Sequence, residues 1–332
     1  MMSRRKAFIW ITLALILFIS ASGAYANNQW TFMGFKLHWE KKDTAILTLS
    51  VGNNHNGQWP SLLNDVGSNW NIYGGSYLAI NVVPGGTGDV ESYNDNYGNT
   101  GWLGLASVWI NGDHIIDGES KVNEYYINLN GYEGFDDPVE WQHVLCQEIG
   151  HTFGLDHHSK GKDTDTCMND QTRPLNYPLP NSHDTKTLDK MYEEDHADED
   201  GGGGGGGPGK CHPVFGCGQG KVRAFWAEHY EDEQELFEAS DAVVEATVLS
   251  SNFSHMVGRP DRAVPITKVR LKVNQTLKGN ASRVILLQQT RGPGLEIEDD
   301  PGYVTGDGYT LFLRQTGAKS YRVVNPNGRI RH

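Results

Sequence analysis

Apolar positions recur at two spacings along this chain, and the change from one to the other divides its first two hundred residues. Residues 44–51 (TAILTLSV), 77–83, 103–110 and 122–127 are short runs rich in Val, Ile, Leu and aromatic residues, which predict strands. Residues 61–70 predict a helix, and 85–100, rich in Gly, Asn and Asp, predict a loop. Gly112-Asp113 supplies a turn signal between strands. Past Asp137-Pro138, an N-cap residue before a proline suited to the first helical position, the period lengthens. Val144, Leu145, Ile149 and Phe153 then recur at helical spacing, and Gly154 suits the stop. A second helix is expected from His183-Asp184 through Leu188 to Met191-Tyr192. Strands followed by helices predict an α+β domain.

The sharpest break is Gly201 to Gly207 with Pro208-Gly209, preceded by acidic residues 193–200. Glycine-rich backbone has too much conformational freedom to be held cheaply, so 198–210 reads as a linker. It separates a domain at 27–197 from another at 211–332. In the latter, 242–249, 268–273, 284–288 and 309–313 predict strands, and only 223–237 reads as helical. A small, mostly β barrel or sandwich is expected there.

Composition narrows the setting. The 332 residues carry a formal net charge of -13, which argues against nucleic acid as the main partner, since phosphate binding needs a basic face. Residues 1–26 read as a signal peptide: Arg4, Arg5 and Lys6, an apolar run over about 7–20, and small residues at Ala24 and Ala26. The run is short for a bilayer span, which needs ~20 residues. A secreted or cell-envelope location follows, with no stable membrane span once the peptide is removed. Four cysteines agree with export, and their grouping suggests Cys146 with Cys167 and Cys211 with Cys217.

The chemistry-bearing segment is 147–157, Gln-Glu-Ile-Gly-His-Thr-Phe-Gly-Leu-Asp-His. Ligands four residues apart share a helix face, as positions 147 and 151 would. A glutamate beside the first ligand, here Glu148, can take a proton from the attacking water and return it to the leaving amine. Gly154, three residues after His151, lets the chain turn so that His157 returns to the same point.

This segment resembles the zinc signature of the metzincin metalloproteases, and further residues resemble the matrixin-like branch. Thr166-Cys167-Met168-Asn169 is similar to that family's methionine turn, which places Met168 beneath the metal. Residues 102–106 (WLGLA) resemble its cleft strand, and 183–192 its closing helix. The resemblance covers about 30–196. It implies a twisted mixed sheet with a zinc helix and a C-terminal helix, a secreted zinc endopeptidase, and a protein or peptide substrate. Ser240-Asp241-Ala242-Val243-Val244 and Leu277-Lys278-Gly279 resemble netrin-like or inhibitor-like OB barrels, which implies an accessory binding or self-inhibiting module.

One position departs from the family pattern. Gln147 stands where the first zinc-binding histidine is expected. Its amide oxygen is a weaker zinc ligand than imidazole. Water or another residue could fill that place, or the site could be metal-poor and the fold one that binds peptides or partners without cleaving them. His143 is a poor substitute, because eight residues of helix separate it from His151 by ~12 Å. His158 is a loop neighbour expected to point away. A Cys146–Cys167 disulfide would tie the zinc helix to the methionine turn and hold an under-ligated site in shape. Asp95 and Asp136-Asp137 are candidate calcium ligands that also suit plain turns.

Overall fold

The computed structural model describes residues 28–41, 46–127, 137–170, 177–193, 220–230 and 232–332. The expected signal peptide, glycine linker, Cys211, Cys217 and Asp136 lie outside them. Among the described residues no helix is long and apolar enough to cross a membrane.

The first half is a twisted mixed sheet with helices packed on it. Its main strands are β1 (Leu47–Asn53), β2 (Leu78–Pro84), β3 (Val90–Asp95), β4 (Trp102–Asn111) and β5 (His114–Asn123). They are joined by β6 (Gly220–Trp226), from far along the chain. The order is β2-β1-β3-β5-β4-β6, with the short strand His38–Trp39 also on β5. Neighbours run parallel from β2 to β5, whereas β4 is antiparallel to both β5 and β6.

Helix α1 (Trp59–Tyr73) turns Trp59, Leu63, Val66, Gly67 and Trp70 inward. Gly67 is required where the helix meets the sheet, because a Cβ there would run into the Val82 side chain. Helix α2 (Pro138–Thr152) begins as its sequence predicts: Asp137 accepts a hydrogen bond from the Val139 amide at 2.9 Å, and Pro138 follows. Gly154 ends the segment at φ +95°, the left-handed region, pressed against the Leu37 carbonyl. Helix α3 (Ser182–Tyr192) has a reciprocal capping box between Asn181 and Asp184.

Three local expectations are corrected. The stretch read as loop at 85–100 contains β3. It escaped notice because its inward residues Ser92 and Asn94 are polar, made compatible with burial by hydrogen bonds to Ser120, His55 and Glu124. The strand expected at 122–127 ends at Asn123, where the Asn123 side chain caps a 3-10 turn over Glu124–Tyr126. The helix expected at 223–237 is instead β6 and then a short helix α4 (Glu233–Ala239). The alternation of buried Val222 and Ala224 with half-buried Lys221 and Arg223 is a strand pattern, satisfied by β4.

Residues 242–323 form a five-stranded barrel. β7 (Ala242–Val257), β8 (Val264–Lys278), β9 (Val284–Gly292), β10 (Gly308–Gly317) and β11 (Ser320–Val323) pair in the ring order β7-β8-β9-β11-β10, closed by β7 with β10. Its interior is apolar, built on Val244, Val269, Leu271, Ile285, Leu287, Leu311 and Leu313. Polar groups join the two halves. Trp102 donates its indole N–H to Thr290 at 3.0 Å, Trp30 donates to Glu298 at 3.0 Å, and Arg322 donates to Asn99 at 2.8 Å.

Candidate metal centre

Helix α2 delivers Gln147, Glu148 and His151, all fully buried, to the space beneath β4. The turn at Gly154 brings His157 back, and its ring lies 4.7 Å from that of His151, centroid to centroid. Leu155 fixes the His151 tautomer: Nδ1 donates to its carbonyl at 2.9 Å, so Nε2 keeps its lone pair. Burial, followed by the neighbouring His157, holds the His151 imidazole well below its usual pKa and so neutral, the form a metal requires.

The common feature of these side chains is the polar atoms they leave unused. Both side-chain atoms of Gln147, both carboxylate oxygens of Glu148, and Nε2 of His151 and of His157 are buried without a hydrogen-bond partner. Native proteins leave only a few such groups unmatched per hundred residues, because each costs about 1–3 kcal/mol, and here several converge. A cluster of this kind marks a place built around something else. The donor set comprises two imidazole nitrogens, an amide oxygen and an adjacent carboxylate, which fits a zinc ion. Among the described residues no group of three His, Cys, Asp or Glu side chains is arranged to hold a metal.

Glu148 stands in an unusual place. Burial drives its carboxyl well above the ordinary carboxylate range, and the Phe225 backbone N–H opposes this without reaching hydrogen-bond geometry. Gly104 of β4 provides the space: a Cβ there would overlap the Glu148 carboxylate.

The supporting shell is continuous. Cys146 and Cys167 form a disulfide between α2 and the loop carrying Met168. The Met168 sulfur lies against Gly150, whose missing side chain admits it. The Thr166 hydroxyl accepts from the Met168 amide at 3.1 Å and donates to Asp184 of α3. His158 donates its amide to the Met168 carbonyl at 2.7 Å. Asp170 faces His157 at 3.7 Å. Trp30 flanks His151, with ring centroids 6.0 Å apart.

Other candidates fall elsewhere. His143 points away from the cluster, its Nε2 on the Asn169 carbonyl at 2.9 Å and its ring edge-on to Phe225. The His158 ring stacks on His183, and its Nε2 meets the Lys162 carbonyl. Asp95 accepts from the amides of Asn96 and Arg259, and Asp137 caps α2. Sequence reasoning missed Gly104, Phe225, Asp170 and Trp30. Only Gly104 and Asp170 carried a signal, one within the cleft-strand segment and the other two residues past Met168.

Comparisons with known proteins give little beyond this geometry. No family model matches the chain, and no curated protein matches it. It is similar to two solved structures, titled "Structure of myroilysin" and "Crystal structure of myroilysin". The first is 12% identical with a TM-score of 0.28, covering 46% of this chain and 96% of that one. The second is 13% identical with a TM-score of 0.28, covering 52% and 98%. The similarity to each is confined to about half of this chain.

Proposed function

We propose that the chain is a secreted zinc-dependent endopeptidase of metzincin type. The observation that carries this is the set of buried polar atoms without hydrogen-bond partners on Gln147, Glu148, His151 and His157, beside an extended strand. His151, His157 and the Gln147 amide oxygen would hold the ion. When bound, zinc supplies a Lewis acid that polarises the scissile carbonyl and the attacking water.

The protein's own groups account for the rest. Glu148, beside the would-be ligand positions on α2, takes a proton from the attacking water and passes it to the leaving amine. The Leu155 carbonyl keeps His151 in one tautomer. The disulfide and Met168 hold α2 against the turn, compensating for a weaker amide ligand. β4 offers backbone groups along which an extended peptide can lie.

A second reading has one observation in its favour. Gln147 is a poorer donor than the histidine its position calls for, which favours a fold that holds peptides without cutting them. Zinc content and peptide hydrolysis of the full chain separate the two readings when measured with Glu148→Ala and Gln147→His. Under the enzyme reading, Glu148→Ala keeps zinc and loses hydrolysis. A native chain that is zinc-free and inert, with both properties appearing only in Gln147→His, contradicts it.

A further inference from the structure

The strand on the outer edge of β4 comes from well beyond the residues that build the cluster. β4 has one edge on β5, and its other edge, the one a peptide would use, is occupied by β6. β6 runs antiparallel along nearly the whole strand, from Trp102 opposite Trp226 to Trp109 opposite Gly220, with an irregularity between Trp102 and Gly104. It enters after the glycine tract and leads into the barrel.

The register sets its relation to the chemistry. Phe225 lies opposite Gly104, the residue that makes room for Glu148. Its amide N–H faces the Glu148 carboxylate without reaching hydrogen-bond geometry. Its ring is fully buried in the core of the first half, edge-on to His143 at 5.3 Å between centroids. β6 is also held by charge. Arg223 donates to Asp156, the residue before His157, at 2.9 Å, and lies 3.2 Å from Glu298 of the barrel. The Lys221 ammonium sits 3.3 Å from the Phe32 ring centroid.

A strand that added itself to the edge of β4, with one apolar side chain buried against His143 of α2, is what peptide recognition by strand addition requires. Attachment to the same chain gives it a higher effective concentration than a free peptide has. We propose that β6 is a tethered occupant of the peptide-binding edge of β4, so that in the intact chain it competes with peptide for the site. The ligand that displaces it is an extended peptide, antiparallel to β4, with a large apolar side chain in the place of Phe225. This rests on reading the Gln147–His157 cluster as the reacting site.

Two variants loosen β6 by different means. Ala224→Pro interrupts the strand, since proline disrupts a sheet ladder. Arg223→Glu turns its attractions to Asp156 and Glu298 into repulsions, so either variant serves if the other misfolds. The probe is a fluorescein-labelled peptide of the sequence Gly-Lys-Val-Arg-Ala-Phe-Trp, added to full-length chain and followed by anisotropy. Folded variants are expected to bind it at least about tenfold more tightly than the native chain. The same peptide with Asp in place of Phe should bind about tenfold more weakly. Equal binding by native and loosened chains, with native circular dichroism retained, overturns the proposal.

Hydrolysis of a quenched peptide on the same samples separates this inference from the enzyme reading. A gain in both variants that Glu148→Ala abolishes supports both. Tight peptide binding with no hydrolysis, in zinc-loaded protein, upholds the tethered strand and contradicts the endopeptidase.

Discussion

Gly104 of β4 and Glu148 of α2 approach so closely that a side chain at 104 would occupy the space of the Glu148 carboxylate. Strand and helix are therefore matched at the point where the chemistry is placed. Gly104→Ala must move either the carboxylate or the strand. Overpacking of this kind costs about 1–3 kcal/mol. Urea unfolding should show that loss, and peptide hydrolysis should fall further than stability does. A variant as stable and active as the native chain would contradict the close packing.

The Cys146–Cys167 disulfide joins residues 21 apart in sequence and ties α2 to the Met168 loop. Replacing both with serine should cost about 3 kcal/mol by relaxing the unfolded chain's constraint. Zinc affinity should also fall, because the two elements that shape the site are no longer bonded. Thermal melting with and without zinc reads both effects.

Glu228 anchors the barrel side of β6. It is buried between Arg314 and Arg322 and bonds to both guanidiniums, with Arg322 at 2.6 Å. Burial alone would raise its carboxyl, but the two arginines outweigh that and hold it below the usual range. Glu228→Ala removes the buried carboxylate on which Arg314 and Arg322 converge, and about 3–5 kcal/mol of stability should be lost, measured by urea unfolding.

His55 sets an acid limit. Its Nδ1 donates to Asn94, its Nε2 meets Ser92, and burial lowers its pKa to about 3 from the usual 6.5. Between those values the unfolded chain binds the extra proton, so this contribution is full above about pH 6.5 and declines as pH falls towards 3. Asp300 and Asp117, both raised to about 6 by burial, act in the opposite direction: their contribution weakens as pH rises from about 4 to 6. The native chain compared with His55→Gln isolates the histidine. Its share of the acid slope, at most about 1.4 kcal/mol per pH unit, should vanish in the variant.

Much of the first half was legible where one residue's chemistry fixes the backbone. Asp137-Pro138 starts α2, Gly154 ends it, and Asn181 with Asp184 caps α3, because each satisfies or frees a particular backbone group. The strand cores of β1, β2 and β4 followed from their β-branched runs. β3 did not, because Ser92 and Asn94 hide its inward face behind polar atoms. The four side chains of the cluster were legible as a motif at fixed spacing. The position of β6 was not, since nothing local to 220–226 names β4 as its partner. Phe225 reaches Glu148 only through tertiary pairing, which periodicity does not encode.

The most direct measurement is zinc binding by purified full-length chain, followed by calorimetry beside Gln147→Ala and His151→Ala. One zinc ion per chain is expected. Gln147→Ala should weaken its affinity at least about tenfold, and His151→Ala should abolish binding. A chain that takes up no zinc, or one whose affinity is unchanged by Gln147→Ala, would contradict a metal centre built on these residues.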